Sequence, residues 1–270
     1  FLPNTSGASY PFWSPDSQNL AFFADGKLKR VPAAGGDVNI VCGATDGRGG
    51  AWSRRGTMLF APSVASCLMS VEASGGSPRA ATTLDPAAVG MTHRFPSFLP
   101  DGEHFLCMST LDANRVENEI CMGSLGSTEL TTILRTNRMP VYAEPGYLIH
   151  ASGDRIVVQR FDARSGRLEG EPQRLPEEAP DVVNSGDRVV SVSANGTLVI
   201  APPETAAGAS LAWFNRRGEV ESLVPAPPGN RKDFRPSPDE TRVVFSMISE
   251  TGVADLWMTD LRRASTTRLT

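Results

Sequence analysis

The chain has 270 residues, of which 40% are hydrophobic and 21% charged, enough apolar material for a buried core and too little charge for a disordered segment. Its formal charge of −4 leaves no basic surplus for gripping a phosphate backbone, which argues against sequence-independent nucleic-acid binding. Glycine and proline make up 46 residues, about 17% against a usual ~12%, and they are scattered, so the chain turns often within one or two domains.

The chain opens Phe1-Leu2-Pro3-Asn4 without an initiator methionine and stops at Arg268-Leu269-Thr270 after a strand-like run; we read it as a piece of a longer protein. No apolar run approaches the roughly 18 residues of a membrane span, and no secretory signal pattern is seen. The first periodic element is Tyr10-Pro11-Phe12-Trp13, a Ser14-Pro15-Asp16-Ser17 turn, then β-rich runs at Asn19–Phe23 and Leu28–Val31. A second copy runs Ala51-Trp52-Ser53-Arg54-Arg55-Gly56, Thr57–Phe60 and Cys67–Val71. The third is the plainest: Phe95-Pro96-Ser97-Phe98-Leu99-Pro100-Asp101-Gly102, then His104–Met108 and Glu119–Met122.

Three weaker copies follow, turning at Glu144-Pro145-Gly146, Ala194-Asn195-Gly196 and Ser237-Pro238-Asp239-Glu240. The turn positions Ser17, Gly56, Gly102, Gly146, Gly196 and Glu240 are 39, 46, 44, 50 and 44 residues apart. Each copy carries a fourth short β-rich run, from Val38–Val41 in the first to Thr267–Leu269 in the last. Four strands in about 45 residues predict a propeller blade, whose two apolar faces are buried only by packing on two neighbours. The fold class expected is therefore all-β: a six-bladed β-propeller of four-stranded antiparallel blades, one domain over residues 1–270, with blades at 8–46, 47–92, 93–136, 137–186, 187–230 and 231–270. In that arrangement both termini meet at a seam with no exchanged strand, where Phe1-Leu2-Pro3 is a candidate to pair.

Trp13-Ser14-Pro15-Asp16, Phe98-Leu99-Pro100-Asp101-Gly102 and Arg235-Pro236-Ser237-Pro238-Asp239 resemble the W-S-P-D-G signature of TolB-like propeller repeats. His93-Arg94-Phe95-Pro96 through Phe105 is similar to repeats found C-terminal to bacterial membrane-bound serine/threonine kinases. The motif reports architecture, since proline fixes φ and Asp-Gly supplies a tight tip. The resemblance implies a sensor or protein-interaction domain on the extracytoplasmic side of a bacterial inner membrane, or a TolB-like envelope scaffold. Similar repeats also accompany peptidases of the prolyl oligopeptidase type.

No kinase motif, G-x-S-x-G, HExxH, Walker loop or EF-hand loop is present. Cys42, Cys67, Cys107 and Cys121 lack zinc-site spacing and sit beside apolar residues, so they read as buried free thiols. His93, His104 and His150 fall at different places in the repeat. Asp112, Asn114, Glu117 and Glu119 form an oxygen-rich stretch with the chemistry of a calcium loop or of a solvated hairpin. Eight positions before the turn stand Ser9, Arg48, Arg94, Arg138, Arg188 and Lys232. In a propeller the starts of the innermost strands gather around one mouth of the central channel. Cations held there call for an anion, an acidic peptide or a partner carboxylate, or else pair with Asp46, Asp187 and Asp233 nearby.

The reading that follows is a non-catalytic binding module with no cofactor, whose partner is a protein, a peptide or a small anionic ligand at the channel mouth. The enzymatic alternative is the propeller of a prolyl-oligopeptidase-like peptidase, or a hydrolase in its own right.

Overall fold

The computed structural model describes residues 5, 7–87, 90–110, 118–136, 138–153, 155–178, 190–192, 198–200, 212–214, 220–223, 230–248 and 254–269. Among them are six four-stranded sheets, each one copy of the sequence repeat and each ordered by antiparallel neighbours. The chain divides into two compact units at Asn137/Arg138, and each is described by itself.

The N-terminal unit holds three sheets. The first comprises β1 (Ser9–Trp13), β2 (Asn19–Ala24), β3 (Lys27–Pro32) and β4 (Asn39–Gly43). The second comprises β5 (Gly50–Trp52), β6 (Thr57–Phe60), β7 (Met69–Glu72) and β8 (Arg79–Ala80). The third comprises β9 (Thr92–Phe98), β10 (His104–Thr110), β11 (Asn118–Ser124) and β12 (Ser127–Arg135). The opening strands of neighbouring copies lie side by side, β1 against β5 and β5 against β9.

Strand alternation explains the packing. Successive side chains on β6 point to opposite faces, so Met58 and Phe60 join Phe12, Phe23 and Leu28 of the first sheet in one core. Leu59, with Ala61 and Leu68, joins Phe105, Cys107 and Cys121 of the third sheet in another. The middle sheet thus buries both faces, as a stacked blade must. Gly47 is required where the chain crosses from the first sheet to the second, since a Cβ there would lie 2.1 Å from the Phe23 ring. The four cysteines are free, and Cys42, Cys107 and Cys121 are buried. Desolvation pushes the Cys42 and Cys121 thiols up to about 11, so they serve as small hydrophobes.

The C-terminal unit also holds three sheets. They are β13 (Val141–Ala143), β14 (Tyr147–Ser152), β15 (Arg155–Asp162) and β16 (Arg167–Glu178); β17 (Val190–Val192), β18 (Leu198–Ile200), β19 (Ala212–Phe214) and β20 (Val220–Leu223); and β21 (Asn230–Pro236), β22 (Arg242–Ile248), β23 (Ala254–Asp260) and β24 (Ser265–Arg268). Val141, Ile149 and Ile156 pack with Val190 between the first two of these sheets. No helix among the described residues is long and apolar enough to cross a membrane.

The repeat's turn is a single backbone device. At Ser17, Gly56, Gly102, Gly146 and Glu240 φ is positive, between 57° and 145°. Each of these residues donates its N–H to the carbonyl three positions back, at 2.9 to 3.1 Å. In the Ser-Pro-Asp copies the serine closes the turn twice over. Ser14 Oγ donates to Asp16 Oδ1 (2.5 Å) and accepts the Asn19 N–H (2.8 Å). Ser237 Oγ does the same with Asp239 (2.6 Å) and Arg242 N–H (3.0 Å). The Ser14 hydroxyl, with the Gln18 N–H, holds the Asp16 carboxyl below the usual carboxylate range.

Candidate functional site

The cation positions lie at a second recurring feature, a kink where the opening strand begins. Tyr10, Phe95 and Asp233 sit in the left-handed region at φ 49°, 53° and 54°, at register breaks in β1, β9 and β21. Gly49, at φ 89°, occupies the same place before β5. The residues immediately before these four are Ser9, Arg48, Arg94 and Lys232. A bulge of this kind re-aims the adjacent side chain, so the position chosen from sequence spacing is also a distinct backbone position.

Arg48 and Arg94 differ in surroundings. Arg48 makes a bidentate pair with Asp46, at 2.6 and 2.9 Å, and its guanidinium lies 5.9 Å from the Tyr10 ring centre. Its charge is balanced by the carboxylate the sequence placed next to it. Arg94 is buried, 6% exposed; its Nε donates to Thr92 Oγ1 at 3.2 Å and Nη2 donates to the Val64 carbonyl. These two acceptors carry no formal charge. The opening strands are tied here: Phe95 N–H donates to the Arg48 carbonyl at 3.0 Å, and the Tyr10 and Phe95 rings stand 5.8 Å apart. Arg138 is half-buried in the C-terminal unit, just before β13. Arg188 and Asp187 lie outside the described residues, as does the Lys232 side chain; Asp233 is held by a 3.3 Å hydrogen bond from Ser246.

The histidines are dispersed. His93 is buried, with Nδ1 2.9 Å from the Thr82 hydroxyl, which in turn accepts the Leu68 N–H. Desolvation lowers its pKa to about 4, so the ring is neutral. His104 Nδ1 lies 2.5 Å from Asp101 Oδ2 at the tip of the third copy. His150 is half-buried, its Nδ1 3.3 Å from the Ala151 carbonyl, and desolvation lowers its pKa. Of the oxygen-rich stretch, Asp112, Asn114 and Glu117 lie outside the described residues. Glu119 is engaged by Arg135 at 2.9 Å and Thr132 at 3.1 Å. Among the described residues no group of three His, Cys, Asp or Glu side chains is placed to hold a metal.

Sequence reasoning missed two features. The paired aromatics at left-handed positions were signalled only by the Tyr10-Pro11 and Phe95-Pro96 dipeptides. A groove of about 350 Å³ between the β13–β14 and β15–β16 turns, lined by Tyr142, Phe161, Arg160, Arg164 and Glu169, carries no motif.

No protein-family model matches the sequence, and no curated protein matches it. Solved structures do match its shape. A calcium-binding protein, regucalcin, of Agrobacterium tumefaciens is 14% identical with a TM-score of 0.65, covering 92% of this chain and 88% of that one. The fold is a β-propeller. A gluconolactonase of Xanthomonas campestris is 12% identical, TM-score 0.65, covering 93% of this chain and 86% of its own. A puromycin-hydrolyzing peptidase of Mycobacterium tuberculosis is 12% identical, TM-score 0.63, covering 98% of this chain but 53% of that chain, so the propeller spans about half the peptidase's length.

These similarities support the propeller and its four-stranded blades, and not the finer assignment to TolB-like or kinase-associated sensor repeats. They also correct the expectation of a non-catalytic module with no enzymatic role. That expectation rested on the lack of short catalytic motifs. A propeller assembles a site from residues on separate blades around a channel, so a linear motif is not needed for catalysis, and enzymes are among the propellers this chain resembles.

Proposed function

We propose that this chain is the substrate-admitting propeller of a hydrolase that cleaves amide or ester bonds. The observation that carries the reading is the match of 98% of the chain to about half of a puromycin-hydrolyzing peptidase, at a TM-score of 0.63. The Ser14 and Ser237 turns support it, since the repeats they resemble accompany peptidases of the prolyl oligopeptidase type. On this reading the six sheets form one domain closed into a six-bladed ring of the TolB-like class, and the chemistry is supplied outside the ring. The cation positions Arg48, Arg94, Arg138, Arg188 and Lys232 select peptide or small-molecule substrates that carry a carboxylate.

A second reading, a hydrolase in its own right, is favoured by the mutual coverage of 93% and 86% with the gluconolactonase. The two are separated by assaying the isolated chain and the full-length protein that carries it on small lactones, p-nitrophenyl esters and aminoacyl anilides. The first reading expects turnover of anilides or esters by the full-length protein only. Lactone turnover by the isolated chain contradicts it in favour of the second, and no turnover by either sinks both.

A further inference from the structure

The groove on the sheet β13–β16 has a composition that specifies a ligand. Beneath it the half-buried Tyr142 and the buried Phe161 meet edge to face at 6.2 Å between ring centres. Its walls carry two cations, Arg160 and Arg164, and two anions, Asp162 and Glu169. Arg160 and Glu169 are directly opposite each other on β15 and β16. The Arg160 guanidinium is drawn over the Tyr147 ring, 5.7 Å from its centre, and no ion pair joins it to Glu169 among the described residues. Asp162 is committed to its own turn, accepting the Arg164 N–H at 2.9 Å and the Ser165 hydroxyl at 2.7 Å. The Arg164 and Glu169 side chains, both exposed, remain on the rim.

A volume of about 350 Å³ is at the small end of ligand sites, the size of one amino-acid residue rather than a chain. The two signs of charge decide the ligand class. A cation would face Arg160 and Arg164, and a polyanion would face Asp162 and Glu169. A zwitterion satisfies both, its carboxylate against guanidinium groups in charge-assisted hydrogen bonds and its ammonium toward Glu169. An aromatic body then packs on the half-buried Tyr142 ring. We propose that this groove is a binding site for a free aromatic α-amino acid or an equivalent small zwitterion. The site is independent of the hydrolase reading, because it uses none of the residues on which that reading rests.

The test is titration of L-phenylalanine into the protein by calorimetry, with N-acetyl-L-phenylalanine and phenethylamine as ligands that each lack one charge. A molecule of this size is expected to half-saturate the site near 1 mM. Arg164→Gln and Glu169→Gln are each expected to weaken binding at least about fivefold, and so is removal of either charge from the ligand. Because both side chains are exposed, the thermal midpoint of the variants should match that of the parent. Absence of saturable binding up to about 20 mM overturns the proposal. Equal binding of N-acetyl-L-phenylalanine and L-phenylalanine overturns it as well, and that result needs no variant.

Discussion

Ser53 Oγ donates a buried 2.7 Å hydrogen bond to the carbonyl of Gly102, 49 residues away in sequence. It links the turn of the second sheet to the turn of the third, and the same hydroxyl accepts the Arg55 N–H at 3.0 Å. Gly102 is held at φ 69° by its own turn, with Ser53 Oγ 3.1 Å from where a Cβ would stand. Ser53→Ala leaves the Gly102 carbonyl without this donor and should cost about 1 to 2 kcal/mol. Urea denaturation reads it; the adjacent Arg55–Glu103 pair is exposed, and Arg55→Ala should change stability by less than about 0.5 kcal/mol.

Gly47 gives a steric prediction. Any side chain there must displace the Phe23 ring, which is 3% exposed and packed against Phe12 and Phe60. Gly47→Ala should therefore destabilise by about 1 to 3 kcal/mol, measured by thermal unfolding. Gly56→Ala offers the contrast: nothing lies within 4 Å of its Cβ position, and its cost comes from the positive φ of 85° alone.

His93 makes stability pH-dependent in a defined window. Its folded pKa is about 4 because burial opposes the charged ring, whereas the unfolded value is about 6.5. The unfolded state therefore binds the proton first as pH falls, and stability is lost from about pH 6.5 down to about pH 4. Between pH 7 and pH 5 the loss amounts to roughly 2 kcal/mol. His150, also lowered by burial, acts in the same direction, so the diagnostic measurement is the difference between parent and His93→Gln. The variant should lose markedly less stability over that interval, and equal losses would mean that His93 is not buried as a neutral ring.

The strands and turns were legible in the sequence because both rest on local rules. Thr57–Phe60 was read as a strand from its β-branched and aromatic residues and is β6 as it stands. The turn position inferred from spacing is the left-handed residue in the five copies that are described. Arg48 pairing with Asp46 was open to a reader as well, the two being two residues apart. The contact between Tyr10 and Phe95 was not legible, since two residues 85 positions apart meet only once three opening strands converge. The acceptors of Arg94 and the groove over Phe161 belong to the same class, as long-range packing leaves no linear pattern. Function was misread for a related reason: a missing motif says little about a site built from separate blades.

The claim that the propeller admits acidic substrates to a hydrolase is tested most directly by steady-state kinetics of the full-length protein. The quantity is the ratio of kcat/KM for a glutamyl anilide to that for the uncharged glutaminyl anilide, in the parent and in Arg94→Gln. Both anilides should be hydrolysed, with a ratio above 1 in the parent and a fall of about tenfold in the variant, corresponding to loss of one charge-assisted contact of about 1.4 kcal/mol. A ratio that does not change, or no hydrolysis of either anilide, would contradict it.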